Sequence, residues 1–264
     1  MHSSFFRRSC VLLLIVCFGI GTAHADPRYS WVPAHVARTE TLAQRFSPPA
    51  GFERRQAEPG SFAEWLRGLP LKPDGAPVLL HTGLPKGRQD VHAAVIDIDV
   101  GQRDLQQCAD AIMRLRAEWL YSAGRTADIA FNDSDGKRMR FSARARQDYA
   151  GLRKYMDFVF AYAGTYSLER ELVSADVDGI RAGDVFIKGG FPGHAVLVAD
   201  VVENSATGER RFLLMQSYMP AQQMHVLNNP AAADGSAWYG TDFGETLETP
   251  EWRFSRSQLR RWKF

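Results

Sequence analysis

The chain has 264 residues, 45% of them hydrophobic, with six Trp and a formal charge of +2. That length and apolar content suit one large domain or two small ones with a sizeable core. The near balance of 32 basic and 30 acidic residues gives no electrostatic case for binding nucleic acid or a membrane surface.

The first segment reads as an export signal. Arg7 and Arg8 form a positive start, Val11 to Gly21 an apolar run, and Ala23-His24-Ala25 a small-x-small cleavage site. The apolar run is shorter than the roughly 20 residues of a membrane-spanning helix. The expectation is therefore an exported protein, periplasmic or secreted after cleavage near Ala25, with no integral membrane segment in the mature chain. Cleavage removes Cys10 and Cys17 and leaves Cys108 as the single cysteine. In an oxidising compartment such a thiol is a buried inert residue, an intermolecular bridge or a reactive group.

Residues 26–60 are rich in Pro, Arg and polar residues without a clear period, and read as an extended N-terminal arm. From Ser61 to the end, a single α+β domain of helices packed on an antiparallel sheet is expected. Ser61 and Glu64 have capping-box spacing, Phe62, Trp65 and Leu66 share a face, and Gly68 and Pro70 stop a short helix. "APVLLHTGLPKG" reads as a strand and turn, and "HAAVIDIDVG" as a strand with Val95, Ile96, Ile98 and Val100 inside and Asp97 and Asp99 facing solvent. The strongest helix has Asp104 as its N-cap and Leu105, Cys108, Ile112, Leu115 and Trp119 at helical spacing, running to about Tyr121. A hairpin turns at Asp135-Gly136, an amphipathic helix ends at Gly164, and a short third helix follows. "GDVFIKGG", "HAVLVADVV" and "RRFLLMQSYM" are three strands. The last stretch is loop-rich, with Trp238, Trp252 and Trp262 packing over the sheet; its basic ending "SRSQLRRWK" reads as a solvated helix face.

Two residues stand out chemically. Cys108 lies in the first turn of the strongest helix, where unsatisfied N–H groups and the helix dipole favour a thiolate; equally, it continues the apolar stripe through Ile112 as a small core residue. His194 opens a strand after the Gly/Pro corner "KGGFPG", where Gly189 and Gly190 leave room for close approach. A Cys–His pair needs a third polar group to orient the imidazole. Gln216 on the next strand is the candidate, with Met215 and Ser217 as alternatives set by register.

The order of a cysteine opening a helix, Gly183-Asp184 entering a strand, Gly193-His194 entering the next and a polar Gln216 on the one after resembles the papain-like fold, especially the NlpC-type cell-wall peptidases and amidases. The resemblance covers residues 104–220 and implies a catalytic set of Cys108, His194 and Gln216, no cofactor, and cell-wall peptide or a related amide or acyl compound as substrate. Gln107 stands where those peptidases carry Asp or Asn. The wording "SFAEWLRGLPL", "LQQCADAIMRLRAEWLY" and "GGFPGHAVLV" is also similar to an uncharacterised family of exported bacterial proteins. Two other readings stand beside the hydrolase: a non-catalytic envelope protein that holds a peptide or glycan, and a thiol sensor built on Cys108 alone. His81, His92, His194 and His225 are scattered without ligand spacing, so no metal is expected.

Overall fold

A computed structural model describes residues 28–32 and 40–263. The expected export signal, 1–25, and arm positions 26–27 and 33–39 lie outside the described residues. The arm is not simply extended: it carries α1 (Leu42–Arg45) and β1 (Glu53–Arg54), and Tyr29 and Leu42 are buried in the main core. Next come α2 (Phe62–Arg67) with Ser61 accepting from the Glu64 N–H, β2 (His92–Val95), α3 (Cys108–Ser122), and the hairpin of β3 (Ala130–Asn132) and β4 (Arg138–Arg140). The chain continues through α4 (Tyr149–Tyr162), α5 (Thr165–Glu171), β5 (Val173–Ser174), β6 (Val185–Lys188), β7 (His194–Glu203), β8 (Arg210–Gln216), β9 (His225–Leu227) and β10 (Tyr239–Gly240). It closes with β11 (Thr246–Glu248), β12 (Arg253–Ser255) and β13 (Leu259–Arg261). The architecture is α+β, dominated by one antiparallel sheet in the order β2-β9-β8-β7-β6-β13-β5, with β1 beside β7 and β10 beside β8.

β7 is the centre of this sheet, and nine of its ten residues are buried. Its side chains alternate between two cores, as a pleated strand requires. Ala195, Leu197 and Ala199 pack with Ile112 and Leu115 of α3 and Trp65 of α2. Val196, Val198 and Val201 pack with Phe186, Phe212, Leu247 and Phe254 on the other face.

Three expectations are corrected. Asp104 is not the cap of α3: the helix starts at Cys108 with Gln107 as N-cap, whose N–H donates to Asp110 Oδ2 at 3.1 Å. Asp104 instead accepts from the Ala221 N–H at 2.7 Å, because the β8–β9 connection passes close by. Asp99 faces solvent as expected, but it lies beyond the end of β2 and not on it, and it pairs with Arg114 at 2.8 Å and Arg153 at 3.1 Å. The basic ending is not a helix face. It forms a 3-10 turn and then β13, which inserts between β6 and β5 with Leu259 fully buried opposite Phe186.

A charge inside the sheet ties the arm to this frame. Pairing of β7 with β8 shifts register between Val198 and Asp200, and Asp200, without solvent exposure, is held by Arg54 and Arg67 at 2.7 Å each. Removing one partner of a buried ion pair costs about 3 kcal/mol or more. We expect Asp200→Ala to lower unfolding free energy by about 3 kcal/mol, read as a fall in the urea midpoint, whereas Asp135→Ala, on the exposed hairpin turn, leaves it within about 0.5 kcal/mol of the parent.

Candidate functional site

The site forms at the end of the sheet where β6 gives way to β7 and β8 to β9. Gly193 is required there by space: a Cβ would collide with the carbonyls of Gly190 and Lys188 and with the Thr165 hydroxyl. This tight corner delivers His194 as the first residue of β7. β7 pairs with β8 so that Leu197 opposes Met215, which by alternation puts Gln216 on the face of His194, while Ser217 turns away to donate to the Gln222 carbonyl at 2.7 Å.

His194 Nε2 lies 2.9 Å from Gln216 Oε1. The assignment of that amide follows from its other neighbours. Gln216 Nε2 donates to Glu251 Oε2 at 2.8 Å and lies 3.3 Å from His225 Nε2. His225 Nδ1 is 2.9 Å from the Gln223 carbonyl and must donate to it, so His225 Nε2 carries a lone pair and accepts. Two acceptors on one side force the amide nitrogen toward them and the oxygen toward His194. His194 therefore carries its proton on Nε2 and holds a lone pair on Nδ1, which makes no hydrogen bond within the described residues. Lys86, buried, fixes Glu251 through both carboxylate oxygens at 2.6 Å.

Aromatic rings enclose the imidazole. Tyr218, Trp252 and Phe254 have centroids 4.6, 5.3 and 5.9 Å from it. Burial is the main reason His194 is pushed down from 6.5 to about 4; the Gln216 hydrogen bond opposes that shift and the Lys86 charge adds to it. His225 is likewise pushed down to about 3, chiefly by burial. Both rings are neutral at pH 7.

Cys108 is the first residue of α3, and two linked networks hold it there. Arg114 is buried and donates to Gln106 Oε1 at 2.8 Å as well as to Asp99, while the Asp104–Ala221 bond joins the helix entrance to the β8–β9 connection. The sulfur lies near the N–H groups of Ala109 and Ala195, which favour the thiolate. Burial outweighs them, followed by repulsion from Asp110, and the thiol is pushed up from 9.0 to about 11. The helix N-terminus thus does not produce the low thiol pKa that its position in the sequence predicts. Cys108 approaches β7 from the helix side at Ala195, and His194 lies on the face shared with Gln216 and Phe254. No hydrogen bond joins thiol and imidazole among the described residues.

Sequence reasoning missed Lys86, Tyr218 and Glu251, and it set Trp252 over the sheet without linking it to His194. The alternation of "MHVL" hinted that His225 belongs to a strand, but nothing local marks Lys86 and Glu251 as partners 165 positions apart. Among the described residues, no group of three or more His, Cys, Asp or Glu could hold a metal, and no helix is long and apolar enough to cross a membrane.

Three buried groups set opposite pH trends. The unfolded chain protonates His194 and His225 near 6.5, whereas the native state resists until about 4 and about 3. Their stabilisation is complete above 6.5 and is lost as pH falls through that window. Asp110 has an unpartnered buried Oδ1 and is pushed up from 3.8 to about 8 by burial. It stays protonated in the native state where the unfolded chain has ionised, so its contribution declines as pH rises from about 4 to about 8. We expect Asp110→Asn to remove a decline in the urea midpoint between pH 6.5 and 8, and His225→Gln to flatten the acid limb between 6.5 and 4. Unchanged pH profiles in both variants would contradict these assignments.

No curated protein and no solved structure matches the chain. One family model does, over residues 42–146 and 142–261, two overlapping segments that take in the helices, the central sheet and every residue of the site. The chain belongs to the family described as Domain of unknown function (4846).

Proposed function

We propose that this protein is an exported cysteine hydrolase with a papain-like, NlpC-type core, a peptidase or amidase acting on cell-wall peptide or a related amide or acyl substrate. The observation that carries the reading is the orientation of Gln216. Its amide is locked by Glu251 and His225 so that it accepts from His194 Nε2 and leaves Nδ1 as a base. A buried histidine with only a structural duty has no need of a second-layer ion pair to fix its tautomer. Large exposed apolar side chains at the same end of the sheet, Phe191 in the corner before β7 and Met219 after β8, offer a rim for a peptide or acyl chain.

In this reading Cys108 Sγ attacks the substrate carbonyl carbon while its proton passes to His194 Nδ1. With the thiol at about 11 and the imidazole at about 4, the resting pair is neutral, so proton transfer accompanies attack. N–H groups at the start of α3 stabilise the oxyanion. The imidazolium then gives the proton to the leaving amine as the C–N bond breaks, and water hydrolyses the thioester to return the thiol.

A second reading is a non-catalytic envelope protein that keeps the fold and binds peptide or glycan. The aromatic cover over His194 and the high thiol pKa favour it. Turnover separates the two. With purified stem peptides and simple amide and thioester probes, we expect Cys108→Ala to abolish amine release, His194→Ala to lower it by ~10²–10⁴, and Gln216→Ala to lower it by ~100-fold through loss of ring orientation. Absence of turnover on every probe, with ligand binding unaltered in Cys108→Ala, overturns the hydrolase and leaves the binding reading.

The resting state supplies its own test. We expect alkylation of Cys108 by iodoacetamide to be slow at pH 7 and to rise about tenfold per pH unit toward 11. Fast alkylation below pH 8 that is lost in His194→Ala would instead mean a preformed thiolate–imidazolium pair.

A further inference from the structure

A cavity of about 670 Å³ lies apart from Cys108, His194 and Gln216 and includes none of them in its walls. Its lining is unlike the rest of this nearly neutral chain. Arg116 of α3, Arg125 just beyond it, Arg138 and Arg140 of β4, Arg170 of α5 and Lys263 after β13 converge there, against two carboxylates, Asp128 and Glu171. Both carboxylates are already engaged. Asp128 pairs with Arg125 at 2.8 Å, and Glu171 pairs with Arg138. Arg170 donates to the Tyr166 hydroxyl at 2.5 Å, and Arg140 and Lys263, both exposed, make no ion pair with a carboxylate among the described residues.

The cavity also has a rigid inner part. The Arg116 guanidinium is packed over Trp119 at 4.5 Å and Trp262 at 5.2 Å, which fixes its plane. Trp262 lines the cavity, and its Nε1 is buried away from it and unpaired among the described residues, so the indole serves there as a wall and not as a donor. Convergent like charges repel, and the crowding of Arg125 on Arg116 adds to burial in pushing Arg116 down to about 10. A group bearing several acceptor oxygens and more than one negative charge would answer that repulsion. Guanidinium forks match such a group in geometry as well as charge.

We propose that this cavity binds a small, multiply charged anion of the phosphate type, a phosphate ester or diphosphate compact enough to fit a pocket of this size. Phe131 and Trp262 give the remainder of such a ligand an apolar wall. The site shares no residue with the Cys108 centre, so its test stands whether or not the protein hydrolyses amides.

Inorganic diphosphate is the probe, titrated calorimetrically into the full mature chain at low salt. We expect saturable binding at one site per chain with Kd below ~1 mM. Arg140→Glu combined with Lys263→Glu should weaken it at least tenfold without moving the urea midpoint of the free protein, since both side chains are exposed. Affinity unchanged in the charge-reversal variant overturns the proposal. So does an equal response to sulfate at matched ionic strength, or binding to phosphatidylglycerol vesicles without binding to diphosphate.

Discussion

A strand buried on both faces, with neighbours on both edges, has no solvent to fall back on, and β7 is such a strand. Each apolar side chain it carries stabilises one of two cores, and each polar one must find a partner inside the protein. Its alternation divides the molecule. Small residues, Ala195 and Ala199, let α3 and α2 approach on one side, while Val196 and Val198 call for the cover that the C-terminal β11–β12 hairpin provides on the other. The two polar residues on β7 that lack solvent, His194 and Asp200, are accordingly met by partners from distant parts of the chain. Asp200 draws in two arginines from the N-terminal third, and His194 draws in the Gln216–Glu251–Lys86 network.

The same burial governs the chemistry of the sheet end. It disfavours charge on the thiol, the two imidazoles and Asp110, and all four are held toward their neutral forms. The N-terminus of α3 acts in the opposite direction on Cys108 but acts over a short range, and desolvation outweighs it. What results is a set of neutral groups whose orientation, rather than whose charge, is fixed in advance. Glu251 and Lys86 carry the charge one layer further out, where they hold the Gln216 amide without ionising His194.

Much of this was legible in the sequence because the signals were local. Ser61 with Glu64 marked α2, the Cys108–Ile112–Leu115–Trp119 stripe marked α3, and Asp135-Gly136 marked the β3–β4 turn. The three runs that became β6, β7 and β8 were readable from alternation and from the glycines between them, and they put Gln216 among three neighbours as the candidate partner of His194. Register chose among those three, and register is set by pairing across strands, which a single sequence does not display. The features that escaped depend on contacts between remote segments. "LRR" carries one apolar residue and gave no sign that it would fill a gap between β6 and β5. Glu251 sits in a short loop and Lys86 in a turn, so neither looks buried until the hairpin closes over them. The start of α3 was misjudged by three residues because Asp104 is a good cap in isolation, yet finds a better donor in Ala221.

The place of β13 bears on the order in which this protein can be assembled. It is the last strand of the chain but not the last strand of the sheet, since it lies between β6 and the much earlier β5. Until residues 259–261 have emerged from the ribosome, β6 has an open edge and β5 has nothing to pair with. Contacts of such wide sequence separation form slowly, and open edges invite pairing with other chains. The sheet therefore closes only after synthesis has passed β13, and the protein must reach that point with β6 shielded from its neighbours.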